Sequence, residues 1–158
     1  MQLPFHSPLG PSDQRRAGLP APVALAVADR VHHDELDALM HVNNVRYIVW
    51  FERLRIAFME HYGIGTINDP NGPRIVIRSA EIRYHAEMLR GEVYVTTCHC
   101  TAFRNTSMTL QQDIWSNGTL RASLTCVMVL LKQDGSTRSA IPAPIKTALI
   151  KDGATPPE

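Results

Sequence analysis

Four polar side chains within eight residues, Asp37, His41, Asn43 and Asn44, stand directly before one long apolar stretch. A carboxylate can take a proton from water or attack a carbonyl carbon, and an imidazole can orient or relay that proton. The first N–H groups of a helix lack intrahelical partners and lie at its positive end, so they can receive the charge that develops on a carbonyl oxygen. The residue types therefore fit attack on a polarised carbonyl. A lone Asp before a helix is more often a loop brace than a catalyst, so the elements that position it decide.

The first of these elements is the helix itself, expected from Val45 to about Tyr62. Asn43 or Asn44 can cap its start by accepting from an orphan first-turn N–H, and Gly63 supplies a C-terminal stop. Ile48, Val49, Trp50, Phe51, Leu54, Ile56, Ala57, Phe58 and Met59 cover most of its circumference, with Arg46, Arg53 and Glu60 as a narrow polar stripe. Such a helix is wrapped rather than laid on a surface. Glu52 and Arg55, three residues apart, are expected to form a structural ion pair.

Upstream, residues 1–22 carry five prolines and a polar run and read as a flexible arm; Val23 to Val31 is β-branched and short, a first strand. Gly63 to Pro73 is a connector. From Arg74 the period becomes two, with a change of parity near Ser79 that predicts a bulge. Three further strands follow, Glu92–Phe103, Asn105–Trp115 and Leu120–Lys132, the last two joined at Asn117-Gly118, a strong hairpin signal. One domain over residues 23–150 and a tail at 151–158 complete the plan. It is an α+β arrangement, an antiparallel sheet wrapped around one central helix. A sheet of this size cannot cover such a helix alone, so a homodimer or homotetramer is expected.

The chain has 158 residues, 44% hydrophobic and 20% charged, with a formal charge of +1. That suits one soluble domain and gives no field that would attract nucleic acid. No apolar run is long enough for a membrane span and no secretory leader is evident, which points to the cytoplasm. Cys98, Cys100 and Cys126 lack framework spacing and read as thiols in strands. In Cys98-His99-Cys100 the His faces away from both thiols, and the His32 to His41 acidic loop lacks ligand spacing, so no metal is expected.

The words Asp37-Ala38-Leu39-Met40-His41-Val42-Asn43-Asn44-Val45-Arg46-Tyr47 and Phe51-Glu52-Arg53, in this order of elements, resemble the hot-dog-fold thioesterases. The similarity is greatest to the 4-hydroxybenzoyl-CoA thioesterase-like and acyl-ACP thioesterase branches and spans Val23 to Ile145. It implies a hot-dog fold and hydrolysis of an acyl-CoA or acyl-ACP thioester, coenzyme A being part of the substrate and no cofactor being needed. By the resemblance, Asp37 is the catalytic base or nucleophile, His41 an assisting imidazole, and the Asn44 amide the oxyanion donor. Tyr84-His85-Ala86-Glu87 resembles the Tyr-x-x-Glu of the acyl-ACP enzymes and offers Glu87 as a second carboxylate. Asn43, Tyr47, Arg104 and Ser107 are expected at the substrate, the last two on the pantetheine arm. For the CoA phosphates Arg74, Arg78, Arg90, Arg104, Arg121, Arg138 and Lys146 are candidates. Leu39 stands where the acyl-ACP enzymes have a catalytic Asn, and Met88 where some have Cys, which favours an Asp-centred CoA thioesterase. Two other readings stay open: a hot-dog hydratase or dehydratase, although Leu39-Met40 replaces its usual Asn-Pro, and a non-catalytic acyl-CoA-binding module.

Overall fold

The computed structural model describes residues 3–65 and 69–158. The middle of the expected Gly63–Pro73 connector, residues 66–68, and the first two residues lie outside that range.

Helix α2 runs from Asn44 to Tyr62. Asn43 is the cap, its side chain accepting from the Val45 N–H at 3.0 Å, and Gly63 closes the far end at φ 67°. Both ends thus follow from local chemistry, an Asx cap and a left-handed glycine. Strands β1 (Leu25–Arg30), β2 (Arg74–Tyr84), β3 (Val93–Phe103), β4 (Ser107–Ser116) and β5 (Thr119–Leu131) form one antiparallel sheet in the order β1-β3-β4-β5-β2. The β2 register shifts between Ile77 and Ser79, the expected bulge. Asn117 and Gly118 both have positive φ, the geometry of the tight hairpin that joins β4 to β5.

The inner face of the sheet meets α2 through Tyr47, Trp50, Phe51, Leu54 and Phe58, all buried. Their spacing of three and four residues is one helix face, so α2 buries a stripe and not its whole circumference. Val45 and Ile48 on the remaining surface stay exposed, as do Ile77 and Tyr84 of β2. The reason is geometric: five strands curve around one side of a helix, and β2 is an edge strand. Arg55 does not pair with Glu52; it donates to Gln112 on β4 at 3.1 Å, and Gln112 in turn donates to the Phe51 carbonyl at 2.8 Å. Cys98 and Cys100 of β3 and Cys126 of β5 are free and buried. Burial holds their thiols above the usual range, so they serve as core residues.

The N-terminal segment is not the flexible arm expected from its prolines. It contains helix α1 (Pro11–Arg16), and Leu9 and Leu19 bury against Ala26, Ala28 and Val95 on the outer face of the sheet. Gln14, 1% exposed, holds it there. Its Nε2 donates to the carbonyls of Leu9 and Val23, and its Oε1 accepts from the Val23 N–H at 2.8 Å. A single amide thereby satisfies main-chain groups that an irregular segment would otherwise leave unpaired. The C-terminal residues are held similarly. Helix α3 (Ala143–Lys151) packs Ile145 and Leu149 into the core, and Thr155 exchanges main-chain bonds with Thr101 and Phe103. No helix among the described residues is long and apolar enough to cross a membrane.

Candidate active site

The loop before α2 is fixed by its own hydrogen bonds. The Asp37 N–H donates to the His41 carbonyl and the Met40 N–H to the Asp37 carbonyl, each at 3.0 Å, and Met40 takes φ 65° to close the turn. One carboxylate oxygen of Asp37 accepts from the Leu39 N–H at 2.8 Å. The other faces His41, with Oδ2 3.8 Å from Nδ1.

A second segment, residues 85–92 between β2 and β3, lies against this turn. The Val42 N–H donates to the Met88 carbonyl at 2.9 Å, and His41 bridges Leu89. Glu87 is thereby brought to the opposite side of the imidazole, its Oε2 3.9 Å from His41 Nε2. One ring thus stands between two carboxylates, at ion-pair rather than hydrogen-bond distance. Asp37, His41, Asn44, Tyr47, Tyr84 and Glu87 line a single open cleft of about 380 Å³.

The first turn of α2 forms its floor. Asn43 N–H donates to the Glu35 carbonyl, Val45 N–H to the Asn43 side chain and Arg46 N–H to the Asn43 carbonyl. Among the described residues the Asn44 N–H has no acceptor, while its carbonyl accepts from the Tyr84 hydroxyl at 3.1 Å. One orphan donor at the positive end of a helix therefore remains at the cleft. The Tyr47 ring is 3% exposed; burial pushes its phenol up to about 12, against the pull of the nearby Arg121. It borders the cleft, and burial favours its protonated form.

Tyr47 and Trp50, with ring centroids 5.3 Å apart, separate the cleft from another cavity. That cavity, of about 400 Å³, lies between α2 and β1, with Leu25, Val27, Leu54 and Tyr94 on its apolar side and Asp29, Arg53, Glu60 and His61 among its polar lining. It shares no lining residue with the cleft that holds the carboxylates.

The family model of the thioesterase-like superfamily matches residues 31–149, which includes the turn, α2 and every strand after β1. The chain belongs to the thioesterase-like superfamily. A crystal structure of a thioesterase-superfamily protein from Jannaschia sp. CCS1 is 36% identical, with a TM-score of 0.91 over 99% of this chain and all of that one. A predicted thioesterase from Bacillus stearothermophilus is 26% identical, with a TM-score of 0.72 over 84% of this chain and 98% of its own. A thioesterase from Thermus thermophilus, solved with coenzyme A and zinc, shares the hot-dog fold at 23% identity, with a TM-score of 0.70 over 81% and 98% of the two chains. No curated protein matches the chain.

Of the residues that the superfamily resemblance nominates, Asp37, His41, Asn44, Tyr47 and Glu87 meet at the cleft. Asn43 acts as the helix cap, and its side chain is turned to Val45. Arg104 and Ser107 are elsewhere. They line a large polar hollow with Arg78 and Thr155. Ser107 pairs with Val129, whereas the cleft abuts the Ala122 end of β5, seven residues and on the order of 24 Å away. Arg121, expected among phosphate ligands, is turned inward on Glu92 at 3.1 Å. Two contributors were not singled out from the sequence. Tyr84 stands inside the Tyr84-His85-Ala86-Glu87 word, so the signal was present. Glu35 had a local signal only for its bond from the His32 N–H at 2.8 Å, three residues back at capping-box spacing; its bond from the Trp50 indole at 2.8 Å, fifteen residues away, had none. Among the described residues there is no group of three or more His, Cys, Asp or Glu able to hold a metal.

Proposed function

We propose that this chain hydrolyses acyl-CoA thioesters in the Asp37 cleft. The observation that carries the reading is the meeting of Asp37, His41, Glu87 and the unpaired Asn44 N–H at one cleft of a thioesterase-like chain. The Asp37 carboxylate takes a proton from water as the oxygen attacks the thioester carbon, or attacks that carbon itself, in which case the acyl-Asp37 anhydride left when the thiolate departs is hydrolysed by water. The negative charge passes to the carbonyl oxygen, which the Asn44 N–H receives; a donor of this kind contributes about a hundred- to a thousandfold in rate. His41, between the two carboxylates, orients the water and returns a proton to the departing thiolate. The products are a free acid and coenzyme A.

The working form is a homodimer formed through β2. Among the described residues this strand bonds only to β5, and its inner face, with Ile77 44% and Tyr84 46% exposed, meets α2 where the Tyr84 hydroxyl donates to the Asn44 carbonyl. An apolar strip beside a free strand edge is what a second copy would cover. Antiparallel pairing of β2 about a two-fold axis sets the Tyr84 end of one copy against the Arg74 end of the other. The polar hollow with Arg78, Arg104 and Ser107 of one copy would then come to the cleft of its partner and receive the CoA phosphates and pantetheine arm. The Thermus thermophilus neighbour solved with coenzyme A supports a CoA ligand.

Thiol release from short, long and aromatic acyl-CoAs, followed with a chromogenic thiol reagent, tests the activity and identifies the acyl class. Release from none of them, with CoA thioesters still bound, would replace hydrolysis by an acyl-CoA-binding role.

A further inference from the structure

Glu87 is the member of the cleft with the least apparent support. Its carboxylate is 66% exposed, lies on a connecting segment and makes no hydrogen bond among the described residues. One residue beneath the segment meets it at three main-chain groups. Arg121, at the start of β5, accepts at its carbonyl from the N–H groups of His85 at 2.8 Å and Ala86 at 3.2 Å. Its guanidinium reaches back over the same segment, donating from Nη1 to the Glu87 carbonyl at 2.8 Å and from Nη2 to Glu92 Oε2 at 3.1 Å.

Glu92 closes the other end. Its Oε1 accepts from the Leu89 N–H and its Oε2 from the Ser116 hydroxyl, each at 2.9 Å or less. Both members of the Arg121–Glu92 pair are only 17% exposed. A charge-assisted pair that is mostly shielded and hydrogen-bonded on both sides is stiff, and its removal leaves donors and acceptors unmatched. The two side chains thus grip residues 87 and 89, on either side of Met88, the acceptor of the Val42 N–H, while residues 85 and 86 rest on the main-chain carbonyl of residue 121.

We propose that Arg121 is the positioning residue that sets Glu87 against His41. It touches no substrate in this arrangement; it fixes the segment on which the second carboxylate rides. A fork of two parallel donors is needed, since one arm goes to a carbonyl and the other to a carboxylate, so Lys cannot replace it. The inference rests on the thioesterase reading for its kinetic consequence and not for its structural one.

The test uses Arg121→Lys and Glu92→Gln, each alone and combined with Glu87→Gln, with turnover and backbone hydrogen exchange measured on the full chain. The expected result is a ten- to hundredfold loss of kcat with KM within threefold, and a pH profile altered as in Glu87→Gln. In the Glu87→Gln background either substitution should cost less than a further twofold. Exchange at the Leu89 amide, which Glu92 Oε1 holds, should quicken at least tenfold while Leu110 in the sheet is unchanged. Unaltered kcat in both variants, losses that multiply in the Glu87→Gln background, or unaltered exchange at Leu89 would overturn the proposal. If wild type releases no thiol, hydrolysis falls, and the placement of Glu87 is then decided by exchange with the His41 imidazole resonance. That resonance moves in both variants if Arg121 sets Glu87 and stays in place if it does not. Should Arg121→Lys fail to fold, Glu92→Gln carries the same readouts.

Discussion

Trp50, in the second turn of α2, donates its indole N–H to Glu35 at 2.8 Å, with the donor 2% and the acceptor 6% exposed. The other carboxylate oxygen of Glu35 accepts from the His32 N–H, and its main-chain carbonyl from the Asn43 N–H. One residue therefore ties the loop that carries Asp37 to the cap and to the buried face of α2. Stacking of Trp50 on Tyr94, at 4.2 Å and 23°, fixes the indole from the other side.

Glu35→Ala removes both acceptors at once and leaves the indole and the His32 N–H unpaired. A loss of about 3 kcal/mol in unfolding free energy is expected, against about 1 to 2 for Glu35→Gln, which keeps an acceptor. Urea denaturation followed by tryptophan fluorescence measures both. Equal stability of the Ala variant would show that the brace contributes nothing.

Asp37 braces its turn, and under the proposed hydrolysis it is also the base or nucleophile; two substitutions separate the two roles. Asp37→Asn can still accept from the Leu39 N–H and keep the turn, but it cannot take a proton. Turnover should drop by about a hundred- to ten-thousandfold with thermal stability nearly unchanged. Asp37→Ala should lose activity equally and about 1 kcal/mol of stability as well. An active Asn variant would move the base to Glu87.

The Tyr47 phenol is raised from 10.0 to about 12 by burial, which favours its protonated form. Because the folded value lies above the unfolded one, the folded state retains the proton longer. Its contribution to stability is complete below pH 10 and is lost as pH rises toward 12. The difference between wild type and Tyr47→Phe in phenolate absorbance should therefore titrate near 12. Tyr47→Phe should lower turnover about five- to tenfold, the loss of one neutral donor, without shifting either limb of the pH profile. A moved limb would mean that Tyr47 exchanges a proton during the reaction.

Gly63 ends α2 at φ 67°, and a Cβ there would meet nothing within 4 Å. The cost of Gly63→Ala is then backbone strain alone, about 1 kcal/mol, and Gly63→Asn should cost less because Asn tolerates the left-handed region. Chemical denaturation of the two variants checks the order.

Those parts of the protein whose causes lie within a few residues of one another are readable along the chain. The Asn43 cap, the Gly63 stop, the Asn117-Gly118 hairpin and the parity change at Ser79 all express contacts between near neighbours, and each is found where it was expected. The word from Asp37 to Tyr47 was legible for the same reason, since turn, cap and first helical turn follow one another in the chain. Which distant groups share the cleft, by contrast, depends on the folded arrangement. Strand direction carries Arg104 and Ser107 to the far end of the sheet, and the clamp of Arg121 on Glu92 brings Glu87 to His41. The same holds for the N-terminal segment, whose prolines describe a chain without regular bonds, while the partners Gln14 supplies become available only once β1 and β3 present an apolar outer face. Local pattern fixes which conformation a stretch prefers; the long-range pairings depend on side-chain shape and charge meeting across the fold, and no periodicity in the chain records them.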